Sequence, residues 1–456
     1  MILDTNNQII SNGSYWPYQQ SQRLKLYQSW VAYLLETDQA YVCFMSPQEL
    51  ENMRVTQQLD KQPTGVYGNY ALSRGLSETE VIGRITQWDP WVIRRKATNK
   101  PWERVNFHDG IKWMIDMEAN YMDHILIKSD GFPSYHLAHI IDDYLMGTTH
   151  VIRADERLAS VPFHIQLFKW FESMLDRPMW KYNHNSAILK LDNGNKRKLS
   201  KRKDPEADVQ TLVDQWYPTQ AIKLYLMSLV NSWFEDRRRS QNSQWNEYIS
   251  YHRFPINLDK CNNAWAIFDL AKLHSICADY LSMIPVSQLK KELQEFYSHT
   301  GQMSIALEEN ESYLESVLSF DRNKKLHVTY QDIVDYILPF FQDSLSISDD
   351  LFPSSISPDQ RKEILNEYKN YITQELFDDQ WVIQKTKEEW FDDLKWFGKR
   401  YHIAGNKKEF EMWWYIAQIG DLAMILRVLL YGKLQTPDIY EMIKIYGLQK
   451  TLKRLW

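Results

Sequence analysis

Ser129–Ser160, SDGFPSYHLAHIIDDYLMGTTHVIRADERLAS, is the stretch whose reading decides the fold. Ser129-Asp130-Gly131-Phe132-Pro133 is a run of turn formers that closes the apolar segment Asp123–Lys128. Ser134 stands where a helix is capped, and Leu137, Ile140, Ile141 and Leu145 follow at i, i+3, i+4 and i+8, one buried stripe. Gly147 sits where helices favour a terminating glycine. Thr149–Arg153 reads as a short buried strand that delivers Arg153 at its carboxyl end, the edge where open α/β sheets hold ligands.

The same reasoning extends outward. Residues 1–16 are polar and read as a loop or frayed end. Leu24, Tyr27, Val31, Leu34 and Leu35 mark an amphipathic helix, and Ser46-Pro47-Gln48-Glu49 a capping box. Trp91–Arg94 suggests a strand. Ser160-Val161-Pro162 opens a helix that buries Ile165, Phe168, Phe171 and Leu175. Lys181–Asp192 then leads through Asn193-Gly194-Asn195 into Lys196–Lys203, where six of eight residues are basic. Gln220–Met227 is apolar enough to be internal, and from about residue 300 the pattern is helical, with a polar break near Ser344–Pro358. Thr436-Pro437-Asp438 announces a further helix.

A length of 456 residues suggests roughly three domains. Eighteen tryptophans, 27 tyrosines and 18 phenylalanines against only 15 glycines favour a helix-rich chain with large packing residues. The net charge of −6 does not advertise nucleic-acid binding, but salt screens distant charges, so the local basic run counts for more than the sum. Cys43, Cys261 and Cys277 are too scattered for a disulfide scaffold or a structural zinc site. Leu422–Tyr431, the most apolar segment, is short and broken by Arg427. A reducing, cytoplasmic setting is the expectation.

Two motifs together carry a family resemblance. SDGFPSYHLAHIIDDYLMGTTHVIRADE is similar to the second half of the catalytic domain of bacterial glutamyl-tRNA synthetases, and KRKLSKRKDPEA resembles their form of the class I KMSKS loop. The likeness runs from about Tyr18 to the C-terminus. The His-x-Gly-His segment that opens the family's catalytic domain does not occur, so the chain resembles a member without its amino-terminal half-site.

The resemblance implies a mostly α protein with an α/β part. After a remnant or loop (1–16) would come an acceptor-stem-binding insertion (17–122). The second half of a Rossmann-type catalytic domain (123–183) would follow, then a stem-contact region with the KLSKR loop (184–299) and an all-α anticodon-binding domain (300–456). The implied reaction is ATP-dependent activation of L-glutamate and its transfer to the 3′ end of tRNA(Glu) by a monomer. ATP enters with Mg2+, and no zinc is expected. The alternative is an inactive tRNA-binding paralog or one half of a split synthetase.

By resemblance, Lys198 and Lys201 neutralise phosphate oxygens during adenylate formation, a task suited to the compact, mobile ammonium group. Glu156, Leu189 (through its backbone), Leu199, Ser200 and Arg202 complete the ATP positions. Tyr135, His139 and Arg153 fall at glutamate positions, and a guanidinium can hold a carboxylate through two hydrogen bonds. Without the motif, each of these three would read as a packing or surface residue. Asp142 and Asp143 are adjacent on one helix and point to different faces, so they do not converge on one ligand. Tyr18–Arg23 resembles the family's entry into the tRNA-gripping insertion.

Overall fold

The structure, a computed structural model, describes every residue except 1, 4–8, 11–13, 16, 172–177, 201, 206–207, 241–256, 301–310, 321–324, 378–382, 412–413 and 456. The chain divides into two compact units: Met1–Leu199 with Leu229–Asp236 and Phe254–Phe268, and Ser200–Ser228 with Arg237–Arg253 and Asp269–Trp456.

The first unit is mixed. Its helices are α1 (Leu24–Glu36), α2 (Pro47–Leu59), α3 (Glu78–Thr86), α4 (Tyr135–Leu145) and α5 (Val161–Phe171). Its main strands are β1 (Ala40–Cys43), β2 (Val92–Arg95), β3 (Arg104–Asp109), β4 (Trp113–Glu118), β5 (Ile125–Ile127), β6 (His150–Ala154), β7 (Lys181–Asn185), β8 (Ile188–Asp192), β9 (Asn195–Lys198) and β10 (Ala266–Ile267). They form sheets ordered β1-β2-β5, β4-β3-β7-β6 and β9-β8-β10. Near the N-terminus, Ile2–Leu3 and Ile9–Ile10 pair antiparallel, so part of what reads as a polar end is a pair of short apolar strands.

Local signals translate directly. The α2 capping box is made at both ends by Ser46 and Glu49. On α4, Leu137, Ile140 and Ile141 are fully buried with Tyr27, Val31 and Leu34 of α1 and Phe171 of α5 in one core. Each such side chain contributes on the order of 1.5–3 kcal/mol by leaving water. The α4 start differs from expectation. Ser134 occupies the cap position, but its side chain makes no cap bond and its hydroxyl is buried without a partner. Gly147 has φ +69°, the left-handed turn for which glycine is suited.

The strand carrying Arg153 exists but is not buried. Residues of β6 alternate between exposed and half-buried because β6 is an edge strand whose ladder runs to β7 alone, with Arg153 opposite His184. The Asp123–Lys128 segment joins a different sheet from β6. Its β5 lies antiparallel to β2, and its Leu126 and Ile127 are buried in the core shared with α1 and α4. At β3, a Cβ on Gly110 would fall 2.0 Å from Asn183 Oδ1, and Asn183 is buried with its amide on the Val151 and Lys181 carbonyls. Gly110→Ala is therefore expected to destabilise this unit by about 1–3 kcal/mol. An unchanged urea midpoint would show that Asn183 can swing aside.

The second unit is helical, with Leu270–Met283, Val286–Thr300, Glu311–Ser319, Tyr330–Phe341, Pro358–Tyr371, Lys387–Arg400, Ile419–Tyr431 and Ile439–Arg454 as its longer elements. One exception is the parallel pairing of Ile403–Ala404 with Ala417–Gln418. The last helix is capped by Asp438, two residues beyond Thr436, and is kinked at Gly447. Among the described residues no helix is long and apolar enough to cross a membrane.

Candidate active site

The parallel strands β7 and β6 end together at Asn185 and Ala154, and β3 ends at Asp109 opposite Tyr182. Their carboxyl edge gathers side chains from four elements. Arg153 Nε donates to His184 Nε2 at 2.9 Å and Nη1 donates to the Tyr135 hydroxyl at 2.8 Å. Nη2 reaches the Arg157 carbonyl at 3.3 Å. The guanidinium carbon lies 4.7 Å from the Tyr182 ring centroid, so the cation also rests on an aromatic face. Tyr135 is the first residue of α4, placed there by the turn before it, and is 42 % exposed.

Behind Arg153 the chain continues inward. His184 Nδ1 and Asp109 Oδ2 are 2.6 Å apart, with both side chains fully buried. Asp109 Oδ1 accepts from the backbone N–H groups of Ile111, Lys112 and His184. Burial pushes the Asp109 carboxyl up. The His184 ring and those three backbone donors outweigh it and hold the group below the usual carboxylate range.

His139 is brought beside Tyr135, with rings stacked at 5.7 Å. Both of its ring nitrogens are engaged, however: Nδ1 pairs with Asp143 and Nε2 meets the Tyr182 hydroxyl at 3.0 Å. Its side chain is 7 % exposed, so His139 braces the site wall and does not offer a free polar atom. Asp142 and Asp143 diverge as their adjacency requires. Asp142 accepts from Arg23, Tyr27 and Gln20, while Asp143 serves His139 and Thr148. Arg23 is thereby 8 % exposed and spent inside the unit, which removes it from the surface on which Tyr18–Arg23 was expected to meet RNA.

The ATP positions fall in both units. Glu156 and Lys198 pair at 2.5 Å; hydrogen bonding and then the charge of Lys198 hold Glu156 below its ordinary range. Both are 57 % exposed, so water competes and the contact is easily exchanged for a phosphate. Leu189 lies in the central strand β8, and its carbonyl accepts from Phe268 N–H at 2.7 Å. That bond engages the carbonyl of the residue the resemblance assigned to adenine. Leu199 N–H closes on the Ile188 carbonyl. In the second unit, Ser200 N–H donates to Asp204, and Arg202 is exposed. Lys201 lies outside the described residues.

Asp109, Tyr182 and His184 were missed by sequence reading. Tyr182-Asn183-His184 carries no signal of a site in sequence; only the fold makes all three buried, two of them strongly polar, in an inner strand. Buried polar groups need partners, so such a strand interior points to a hydrogen-bonded site.

The catalytic-domain model of class I tRNA synthetases (E and Q) matches residues 2–262, and an anticodon binding domain model matches residues 417–456. Glutamate–tRNA ligase of Clostridium beijerinckii is 35 % identical over 97 % of this chain and 79 % of its own length. That of Sorangium cellulosum is 30 % identical over 99 % of this chain and 80 % of its own. A crystal structure of a glutamate tRNA ligase from Elizabethkingia meningosepticum, in complex with its amino acid, superposes with a TM-score of 0.74 at 24 % identity. It covers 97 % of this chain and 84 % of that one.

Proposed function

The chain belongs to the class I tRNA synthetases of the glutamate and glutamine family, and we propose that it joins L-glutamate to tRNA(Glu), using ATP. The carrying observation is Arg153, fixed at the carboxyl edge of the parallel strands by Tyr135, His184 and the Arg157 carbonyl. A glutamate carboxylate is the ligand such a guanidinium suits.

In the first step the α-carboxylate of glutamate attacks the α-phosphorus of ATP and pyrophosphate leaves. In the second, a hydroxyl of the terminal tRNA ribose takes the acyl group and AMP leaves. The attacking carboxylate must stay free, so Arg153 and Tyr135 serve the side-chain carboxylate, with His139 bracing Tyr182 behind them. Negative charge grows on the phosphate oxygens in the first step, and stabilising it is where catalysis is won. Lys198 and Lys201 supply that positive charge. Lys198 exchanges Glu156 for phosphate, and Ser200, Arg202 and Leu199 shape the loop. ATP arrives as its Mg2+ complex. No zinc is part of this proposal, which places the protein in the cytoplasm as a monomer. The expected domain limits at 16/17, 122/123, 183/184 and 299/300 belong to the same reading.

The test is tRNA-dependent ATP–pyrophosphate exchange with the 456-residue chain, alongside tRNA binding. Glutamate-dependent exchange is expected, reduced by roughly 10²–10³-fold in Lys201→Ala with tRNA binding retained. Binding without exchange would instead favour a tRNA-binding paralog or one half of a split synthetase.

A further inference from the structure

We infer that Asp109 and His184 are positioning residues for glutamate, locking the Arg153 guanidinium in an orientation that leaves two N–H groups for the substrate carboxylate. The inference rests on the glutamate-binding reading of Arg153 and says how that residue is aimed.

The proton positions follow from geometry. An arginine Nε always carries its proton, and here it points at His184 Nε2 from 2.9 Å. That nitrogen must therefore be bare, and the imidazole proton sits on Nδ1, facing Asp109 Oδ2 at 2.6 Å. Asp109 cannot turn away, because its other oxygen is held by three backbone N–H groups. Both side chains of the pair are fully buried, so water cannot substitute for either partner.

The donor count then matters. A guanidinium has five N–H groups. Three of Arg153's are placed, on His184, Tyr135 and the Arg157 carbonyl. The remaining two lie one on each terminal nitrogen, two charged donors for a carboxylate. Without the acceptor at His184, the guanidinium could rotate about its Cδ–Nε bond and that preorganisation would be lost.

A plain structural brace between β3 and β7 would also bury Asp109 and His184, so the experiment must separate the two roles. In Asp109→Asn the retained oxygen keeps the backbone donors. The new amide nitrogen donates to His184 Nδ1, drives the ring proton to Nε2 and sets N–H against the Arg153 N–H. The KM for glutamate in tRNA-dependent pyrophosphate exchange is expected to rise about 10–100-fold. The KM for ATP and tRNA binding should stay within about twofold of wild type. His184→Gln, whose amide oxygen can still accept from Arg153, is expected to recover much of the glutamate affinity that His184→Leu loses.

A shift shared equally between glutamate and ATP, no shift at all, or His184→Gln no better than His184→Leu would overturn the inference. Imidazole ¹⁵N spectra of the wild-type chain need no turnover. The resonance lost in His184→Gln must show a protonated Nδ1 and a bare Nε2; the opposite tautomer overturns the lock. The expected tautomer in a chain that takes no glutamate would overturn the ligase reading, and with it the lock's role in substrate binding.

Discussion

Arg153→Ala is expected to raise the KM for L-glutamate by roughly two to three orders of magnitude while leaving that for ATP within about twofold, because truncating one partner of a hydrogen-bonded charge pair costs about 2–5 kcal/mol. At about 1.4 kcal/mol per tenfold, 3–4 kcal/mol gives that range. The substitution removes the cation from the carboxylate. It also strands His184 Nε2 and frees the Tyr135 hydroxyl, both of which the guanidinium now holds within 3 Å. Arg153→Lys should rescue little. An ammonium group is a point charge with three donors and cannot bond His184, Tyr135 and the Arg157 carbonyl while still offering two donors to substrate. Glutamate saturation curves of exchange at fixed ATP decide the matter. An unchanged glutamate KM in Arg153→Ala would remove Arg153 from the amino-acid site.

Much of this architecture was legible because it is local. The Ser46–Glu49 box, the α4 stripe and the stop at Gly147 are each written within a few consecutive residues and need no tertiary partner to be recognised. Arg153 and Tyr135 were reachable because one motif carries both. What escaped depends on pairing across distance. Whether β6 is inner or edge is decided by β7, some thirty residues later, and only that register sets His184 opposite Arg153. Asp109 reaches the site through a parallel bridge to Tyr182 and a glycine that allows close approach. His139 and Leu189 illustrate the converse. Motif position puts them near substrate, and motif position alone does not show that Asp143 and Tyr182 meet the ring nitrogens of one or that Phe268 N–H meets the carbonyl of the other.

The second large effect expected is acid lability of the first unit beginning below pH ~6.5, well above the range in which carboxylates titrate. Behind Tyr135 sits a set of imidazoles. His136 Nδ1 meets His164 Nε2 at 3.0 Å, and His124 Nε2 meets Asn120 Oδ1 at 2.8 Å. Burial, and next the charge of Arg94, pushes His124 down to about 4, against a smaller upward pull from Asp123. Burial, followed by repulsion from His124, His139, Arg157 and Arg153, pushes His136 to about 4. Burial drives the fully buried His164 down further. In each case the folded pKa lies below that of an unfolded imidazole, so the unfolded chain binds protons that the folded chain refuses. Stability is therefore complete above about pH 6.5 and falls as the pH drops toward 4. At pH ~5 the deficit is about 1.5 pH units for each ring, or roughly 2 kcal/mol apiece at 1.36 kcal/mol per unit. His124 and His136 alone then cost about 4 kcal/mol, a large share of the 5–15 kcal/mol that holds a typical domain. Asp109, whose pKa is depressed, acts only below the ordinary carboxylate range and leaves this window untouched. Urea midpoints of the first unit should fall steeply between neutral pH and pH 5, and His136→Gln should flatten the slope by about one proton. A midpoint independent of pH across that window would mean that the rings are solvated and take up protons in the fold as readily as in the unfolded chain.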